Sequence, residues 1–292
     1  MRVAPALRVA VASSRCCIPL FLAALAAAQN CRGPGFEFSS PCFLSVGLHA
    51  PVLAAAQVPP RPTGGGEVRA STGLNKVLDA MDRQGQTFSS AETDLLWDQY
   101  ESVVQDHTVQ SGTMWMRKKD KNLEVAVELW PGEQPGAKGA AEKYLVLSAG
   151  KVEVFQPKVN QVMEYDTGKN RQTFESFLVL GFGGGGHALL DQFSVRYGGA
   201  ETLKGVGSER EMQDGVVADK LELVPKSNGV SRLFDRIELW IDPAGISVQQ
   251  KFYEAGTGNY RLVRYSHLKT NVKVREEVFK LKTNDNTQVL HQ

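Results

Sequence analysis

One stretch in the middle of the chain constrains its fold more than any other. Between Tyr144 and Asp166, short β-type runs are separated by the turn residues Ala149-Gly150-Lys151 and Gln156-Pro157-Lys158. Connections this short join antiparallel neighbours, because a crossover between parallel strands needs a dozen or more residues. The stretch therefore predicts successive β-hairpins.

The same alternation of apolar and polar residues continues on both sides of these hairpins. Alternating segments predict half-buried strands, and short turns between them predict antiparallel pairing. The further predicted strands are around Leu95 and Trp97, Val109–Met116, Val125–Leu129, Lys220–Val224, Ile237–Ile241, Ile246–Phe252, Tyr260–Val272 and Val278–Leu281. At least eight strands with few helices predict a mainly β (α+β) domain whose antiparallel sheet is large enough to curl.

One segment before the strands has the period of a helix instead. Leu74, Val77, Leu78 and Met81 recur at the spacing of one helix face. The pair Ser71-Thr72 precedes this face as candidate caps, and Gly85 follows it as a stop signal. We expect an amphipathic helix of two to three turns here.

The N-terminal region has the pattern of an export signal. Three arginines precede the apolar run Cys17–Ala28, which ends in small residues and is too short to span a bilayer. A second apolar run ends at 53–57 in the pentapeptide that also ends the first, so cleavage after Ala28 and cleavage after Ala56 are both predicted options. The pattern divides the chain into a leader at 1–57, a Pro/Gly-rich linker at 58–69 and a domain at 70–292, and it predicts export to the periplasm.

The composition of the domain excludes several classes of protein. All four cysteines precede residue 57, so the domain contains no thiol nucleophile, zinc knuckle or internal disulfide. The chain has 33 basic and 32 acidic residues, and removing the four arginines and one glutamate of 1–57 leaves 29 against 31. This balance predicts no nucleic-acid partner, which would require a clustered basic excess. The five histidines share no metal-ligand spacing, so no metal site is predicted.

The run Gly181–Gly186 matches the dinucleotide fingerprint G-x-G-x-x-G. A phosphate loop would need lysine and a hydroxyl residue next, where this chain has His187 and Ala188. A Rossmann site would need parallel strands with crossover helices, which the short turns disfavour. We therefore interpret the run as a flexible hinge before a short helix over 187–193 that covers the sheet, and a nucleotide-dependent enzyme stays as the less favoured hypothesis.

Several motifs, in order along the chain, resemble those of the periplasmic outer-membrane lipoprotein carriers, the LolA-like family. The matching segments are the helix Leu74–Arg83, the strand Gly112–Lys118, the hairpin elements Ser148–Lys151 and Phe155–Pro157, the strand Leu221–Lys226, and Asn271 with Val278–Leu281. The likeness covers about residues 70–292. Lys118 occupies the position of the family's functional arginine, with Arg117 beside it, and a lysine cannot reproduce the bidentate fork of an arginine.

The resemblance implies an incompletely closed antiparallel β-barrel with helices covering the concave face, around a cavity lined by alternate residues. It implies a monomeric, non-catalytic carrier without cofactors that binds lipoprotein acyl chains, receives them from an inner-membrane lipoprotein-releasing transporter and delivers them to an outer-membrane acceptor. An envelope-stress regulator or a glycolipid-binding protein with the same fold is the alternative. The expected cargo-binding residues are Trp97, Trp115, Arg117, Lys118, Phe155, Phe177, Leu178, Phe193 and Trp240.

Overall fold

The computed structural model describes residues 65–119, 122–133, 141–166 and 180–291. The predicted leader at 1–57 lies outside these ranges. The described strands are β1 (Ser90–Glu101), β2 (Asp106–Lys119), β3 (Asn122–Pro131), β4 (Lys143–Ser148), β5 (Lys151–Gln156), β6 (Gln161–Asp166), β7 (Phe193–Leu203), β8 (Val216–Pro225), β9 (Phe234–Ile241), β10 (Ser247–Glu254), β11 (Tyr260–Thr270) and β12 (Gln288–His291). The described α-helices are α1 (Gly65–Thr87), α2 (Leu189–Gln192), α3 (Glu209–Asp214) and α4 (Asn228–Ser231).

All twelve strands belong to one sheet, in the order β12-β6-β5-β4-β3-β2-β1-β11-β10-β9-β8-β7. Every neighbouring pair is antiparallel except β12 and β6, which are parallel. Because β12 and β7 are the two edges of the sheet, the barrel is not closed. This architecture confirms the predicted fold class, an incompletely closed antiparallel barrel whose concave face is covered by a helix.

The sheet has two faces of different character, which alternate along β2. Met114 and Met116 point to the core face, where one apolar cluster includes side chains of α1 and of strands from both halves of the sheet. Trp115 and Arg117 point to the outer face. A single cluster can include both halves of so wide a sheet because the sheet curls around α1.

The predicted hairpins between Tyr144 and Asp166 are confirmed as β4, β5 and β6. The turn between β4 and β5 consists of Ala149 (φ 50) and Gly150 (φ 81). Two successive residues with positive φ form the type I′ geometry, whose twist matches that of the flanking strands. The register of this hairpin is thus fixed locally.

The predicted helix is confirmed, but its limits are wider than expected. Ser71-Thr72 lies inside α1 rather than capping it, and Gly85 lies in its last turn. The last proline before Leu74 is Pro62, so no residue between them breaks the helix. The helix also includes the final residues of the predicted linker.

The predicted strand Val278–Leu281 is wrong. The chain forms a 3-10 turn at Glu276–Phe279 and crosses the outer face, where Phe279 packs in a cluster with Ala126 and Val146. The spacing of Val278 and Leu281 reflects contact with that face and not strand alternation. After this crossing the chain adds β12 to the edge of β6.

The edge strands β7 and β12 escaped prediction. β7 is mostly exposed and contains a register shift between Tyr197 and Gly199, and the four residues of β12 are all exposed. β12 therefore has no buried face that would impose alternation on its sequence. In β7, Phe193, Val195 and Tyr197 do alternate towards the core cluster, and the sequence reasoning missed this signal. No helix within the described ranges has the length and apolar character needed to cross a membrane.

Candidate functional site

The core face is closed by α1 together with a second segment, residues 180–188, which we call the glycine loop. On α1, Leu78 and Met81 are fully buried against the sheet. From the glycine loop, Leu180 and Phe182 join the same cluster. These two elements form a cover over the core face.

Close backbone packing holds α1 in place on two sides. A Cβ added to Gly186 would lie 2.6 Å from the Cα of Leu78, and one added to Gly245 would lie 2.8 Å from the backbone nitrogen of Met81. Real Cβ atoms do not approach other atoms so closely, so glycine is required at both positions. Gly245, in the turn between β9 and β10, also has a φ of 89°.

The glycine loop is packed, which corrects its interpretation as a flexible hinge. The backbone N–H of Ser247 donates to the carbonyl of Gly181 at 2.8 Å, and a Cβ on Gly183 would lie 2.8 Å from the Cβ of Phe88. The short helix predicted over 187–193 is present as α2, and Leu189 and Phe193 are buried in the core cluster. The glycines therefore serve contact with α1 and β10, which accounts for the fingerprint without a nucleotide.

Lys118 fastens the cover at the end of β2. Its Nζ donates to the carbonyl of Gly85 in α1 at 3.1 Å and to the carbonyl of Gly183 in the glycine loop at 3.0 Å. The same ammonium lies 5.6 Å from the ring centroid of Phe88. An ammonium group can satisfy two carbonyls without the planar fork of an arginine, so lysine suits this position.

A second polar link joins α1 to the glycine loop. The carboxylate of Asp82 accepts one hydrogen bond from the ring Nδ1 of His187 and another from the His187 backbone N–H, the latter at 3.3 Å. Burial works to raise the pKa of Asp82, but the hydrogen bonds from His187 outweigh it and hold that pKa below its ordinary value. Asp79 lies beside this pair, and its ligand atoms and theirs are within 4.8 Å of one another. The group could hold a divalent cation at the surface, although a bare ion-paired cluster has the same geometry.

The interior beneath the cover combines methionines with one polar pair. Met114 and Met116 on β2 and Met81 on the underside of α1 are buried there, and Met163 packs against the same core cluster. These are four of the six methionines of the chain. Unbranched thioether side chains adapt to irregular space, so this lining is deformable.

The polar pair is Gln250 and Tyr265. The hydroxyl of Tyr265 donates to Gln250 at 3.1 Å, and the amide of Gln250 donates to the carbonyl of Leu180 at 2.6 Å. Burial raises the pKa of Tyr265, so the hydroxyl stays protonated as a donor. The pair attaches the start of the glycine loop to the sheet.

The structure does not bring the predicted cargo-binding residues together. Trp97 and Phe193 lie in the core cluster, and Lys118 lies at the rim of the cover. Phe177 and Leu178 lie outside the described residues. The other four, which are Trp115, Arg117, Phe155 and Trp240, lie on the outer face.

On the outer face, Arg117 holds the C-terminal segment to the sheet. It donates to both carboxylate oxygens of Glu276 at 2.8 Å and to Glu124 at 2.6 Å, and its guanidinium lies 4.2 Å from the ring centroid of Phe279. The hydrogen bonds with Glu276 and then Glu124 raise the pKa of Arg117 against the opposing effect of burial. Arg117 therefore has a structural role that explains its position without cargo.

The remaining three outer-face residues also have local partners. Trp115 donates from Nε1 to Glu92 at 3.1 Å, and Trp240 donates from Nε1 to Glu201 at 2.9 Å. Phe155 stacks on Tyr144 with ring centroids 6.1 Å apart. A groove of about 370 Å³ lies beside Trp115, between β2–β4 and the C-terminal segment.

The described part of the core face is occupied by side chains of the cover, which differs from the preformed hollow implied by the resemblance. Sequence reasoning also missed the acceptors of Lys118, the contacts of Gly186 and the pair of Asp82 with His187. Their separation along the chain concealed them. Alternation of Met114 and Met116 with Trp115 was the one available signal for the methionine lining.

The chain was compared with known proteins. No family model matches the sequence, and no curated protein matches it. Solved structures with a similar fold include an uncharacterized conserved protein from Thermus thermophilus, at 14% identity and a TM-score of 0.44, with 75% of this chain and 98% of that chain covered.

Two further solved structures are a putative outer membrane lipoprotein-sorting protein domain from Vibrio parahaemolyticus and a LolA superfamily protein from Nitrosomonas europaea. The first has 11% identity and a TM-score of 0.38, covering 72% of this chain and 96% of that chain. The second has 11% identity and a TM-score of 0.34, covering 71% and 97%. The class that the chain's own sheet and cover define is a half-open antiparallel barrel.

Gly186→Ala tests the packing of the cover. The new methyl group would collide with the backbone of α1 at Leu78, so we expect a loss of about 1–3 kcal/mol of unfolding free energy, measured by urea denaturation. Gly229→Ala is the control, because a Cβ there meets nothing within 4 Å. Equal stability of the two variants would show that α1 does not rest on Gly186.

Asp242→Asn tests the turn between β9 and β10 that supports α1. Burial raises the pKa of Asp242 from 3.8 to about 6, against the opposing hydrogen bond from the Ile246 backbone. The folded protein therefore binds this proton more tightly than the unfolded chain does, so the contribution of Asp242 to stability is greatest below pH 4 and is lost as the pH rises to 6. Relative to the asparagine variant, the wild type should lose up to about 3 kcal/mol across this window in urea titrations.

The exposed Asp191 provides the control for this pH dependence. An asparagine at Asp191 should leave the profile of the wild type unchanged. If the Asp242→Asn profile is also that of the wild type between pH 4 and 6, the buried carboxyl does not titrate in this window.

Proposed function

We propose that this protein is a carrier that shelters the hydrocarbon chains of lipidated cargo between its core face and a cover that moves aside. The supporting observation is the construction of the cover, which rests on a methionine lining and is fastened at its rim by Lys118. The underside of the cover is mainly apolar, with the Lys118 and His187 links near the surface and the buried Gln250 and Ser247 bonds to the start of the glycine loop.

The relevant energies favour opening by cargo. At the exposed rim, the two hydrogen bonds of the Lys118 ammonium contribute about 1–2 kcal/mol together. Each methylene removed from water contributes about 0.8 kcal/mol, so an acyl chain with about 15 methylenes gains about 12 kcal/mol. Entry of one chain can therefore offset the loss of the Lys118 contacts, and the flexible methionines can then repack around it.

The same balance allows release. A carrier must hide its cargo from water without binding it irreversibly, which favours a deformable apolar lining over tight polar clamps. Four charged side chains of the described residues are buried, and they lie away from the centre of the core face. Glu124 and Glu238 are on the outer face, Asp242 is in the turn between β9 and β10, and Arg261, paired with Glu254, is at the end of β11. The site thus offers shelter for hydrocarbon and leaves the polar end of the cargo outside.

The finer part of the proposal concerns the route of the cargo. The export pattern at the N-terminus and the ordered motifs of the sequence support a periplasmic carrier that delivers lipoproteins to the outer membrane. In that scheme an inner-membrane releasing transporter supplies the cargo and an outer-membrane acceptor takes it. Mass spectrometry of lipids bound to the isolated protein would separate this route from that of a glycolipid carrier.

Lys118→Met tests the two hydrogen bonds by which Lys118 fastens the cover, which we call the Lys118 latch. Methionine has a length similar to that of lysine and no hydrogen-bond donor. We expect saturable binding of a fluorescent fatty acid by the wild type, and probe entry and release that are roughly 10-fold faster in the variant. Stopped-flow fluorescence measures both rates. The fold should remain intact, as judged by circular dichroism.

Lys119→Met is the matched control, since Lys119 is the next residue on the same strand and pairs with Glu276 on the outer face. Its probe kinetics should equal those of the wild type. Absence of saturable probe binding in the folded wild type would refute the carrier proposal. Unchanged rates in Lys118→Met would remove Lys118 from the mechanism.

A further inference from the structure

The tip of the hairpin between β1 and β2 exposes two adjacent apolar side chains. Val103 is 92% exposed and Val104 is 66% exposed. A third valine, Val159, is 59% exposed in the turn between β5 and β6, which lies at the same end of the strands. Single exposed apolar residues are common on protein surfaces, but adjacent ones at a hairpin tip are less so.

The tip is held in place by the neighbouring hairpin. The backbone N–H of Ser102 donates to the side chain of Asn259 at 2.9 Å, and the hydroxyl of Ser102 donates to the carbonyl of Thr257 at 2.6 Å. The valines are thus presented by an ordered turn. Little conformational entropy would be lost if they were buried against another surface.

A row of aromatic rings lies behind this tip on the outer face. The register pairs Tyr253 with Tyr260, Tyr260 with Tyr100, and Tyr100 with His107, so one ring comes from each of four adjacent strands. Successive ring centroids are 6.2, 4.9 and 4.9 Å apart. Tyrosine is enriched where one end of a side chain meets hydrocarbon and the other meets water.

Two cations accompany the ring row. The Nζ of Lys251 lies 3.7 Å from the ring centroid of Tyr260 and 4.9 Å from that of Tyr253, and the guanidinium of Arg236 lies 4.1 Å from Tyr253. At about 3.3 Å per strand residue, Tyr100 is roughly 10 Å behind Val103. Apolar groups of interfacial proteins enter the headgroup boundary to about 5–10 Å, so the ring row would lie at headgroup level when the tip enters.

We propose that this end of the sheet is a membrane-contact site, in which Val103 and Val104 enter a lipid bilayer and the ring row lies among the headgroups. The nearby acids make the preferred surface zwitterionic. The exposed or half-buried acids are Asp98, Glu101, Asp106 and Asp235, against the cations Arg236, Lys251 and Lys158, while Glu254 pairs with the buried Arg261. With no basic excess, this end of the sheet has no electrostatic attraction to an anionic bilayer.

The contact is weak and reversible by construction. Two valines and a partial ring row bury far less area than a lipid anchor does, and a single acyl anchor is itself only marginally stable in a bilayer. The site stands apart from the cover, since the Lys118 latch is at the opposite end of the strands. Membrane contact at this site does not depend on acyl-chain binding beneath the cover. It would bring a carrier to the surface where cargo is exchanged.

Flotation with phosphatidylcholine vesicles tests the site. The double variant Val103→Ser/Val104→Ser should bind vesicles roughly 10- to 100-fold more weakly than the wild type. Val217→Ser is the matched control, because Val217 is 57% exposed on β8 towards the other end of the strands. It should float as the wild type does.

A second measurement reports on the tip itself. Val103→Trp fluorescence should be quenched by bilayers of brominated phosphatidylcholine, whereas Val217→Trp should not be. The inference is overturned if the wild type does not float, if the double serine variant floats equally well, or if the Val103→Trp signal is not quenched. Binding that requires phosphatidylglycerol and disappears in salt would also overturn it.

The fatty-acid probe separates this inference from the proposed function. The double serine variant should bind the probe as the wild type does, so that its loss of flotation is assigned to the tip. A wild type that floats but binds no probe would contradict the carrier proposal and leave the membrane-contact site supported. A wild type that binds the probe but does not float would contradict the membrane-contact site and leave the carrier proposal supported.

Discussion

The structure depends on the burial of one face of a wide sheet beneath very little helix. Among the described elements, α1 is the one helix longer than two turns, and the sheet that it helps to cover has twelve strands. So small a cover must approach the sheet closely to exclude water, because gaps in an apolar interface lose contact energy. The glycines at 186 and 245 permit that approach from two directions. The contact between α1 and its surroundings is thus the central interaction of the fold.

The two faces and the two ends of the sheet make different contacts. The core face binds the cover, and the outer face binds the chain's own C-terminal segment through Arg117 and Phe279. One end of the strands carries the Lys118 latch, and the other carries the valine tip. The Lys118 contacts therefore lie apart from both the outer face and the tip.

Three polar side chains link elements at the rim of the cover. Lys118, Asp82 and His187 link elements at the rim, where water still reaches them, so each link is modest in energy and reversible. Asp242 differs, because burial in the turn that supports α1 penalises its charge. At neutral pH, the buried charge of Asp242 therefore lowers the stability of the fold at the turn whose Gly245 packs on α1.

The sequence by itself determined the architecture, because strand alternation and turn residues are local signals. These signals predicted the β4–β6 hairpins, the amphipathic face of α1 and a large antiparallel sheet that curls, and the family resemblance added its incomplete closure. Alternation also placed Trp115 opposite Met114 and Met116. It could not tell which face the cover would close, since both faces are partly apolar, and so four of nine predicted site residues lie on the outer face. Only the tertiary structure placed Lys118 against Gly85 and Gly183, and Gly186 against Leu78, because those contacts join segments 33 to 108 residues apart and leave no periodicity in the sequence.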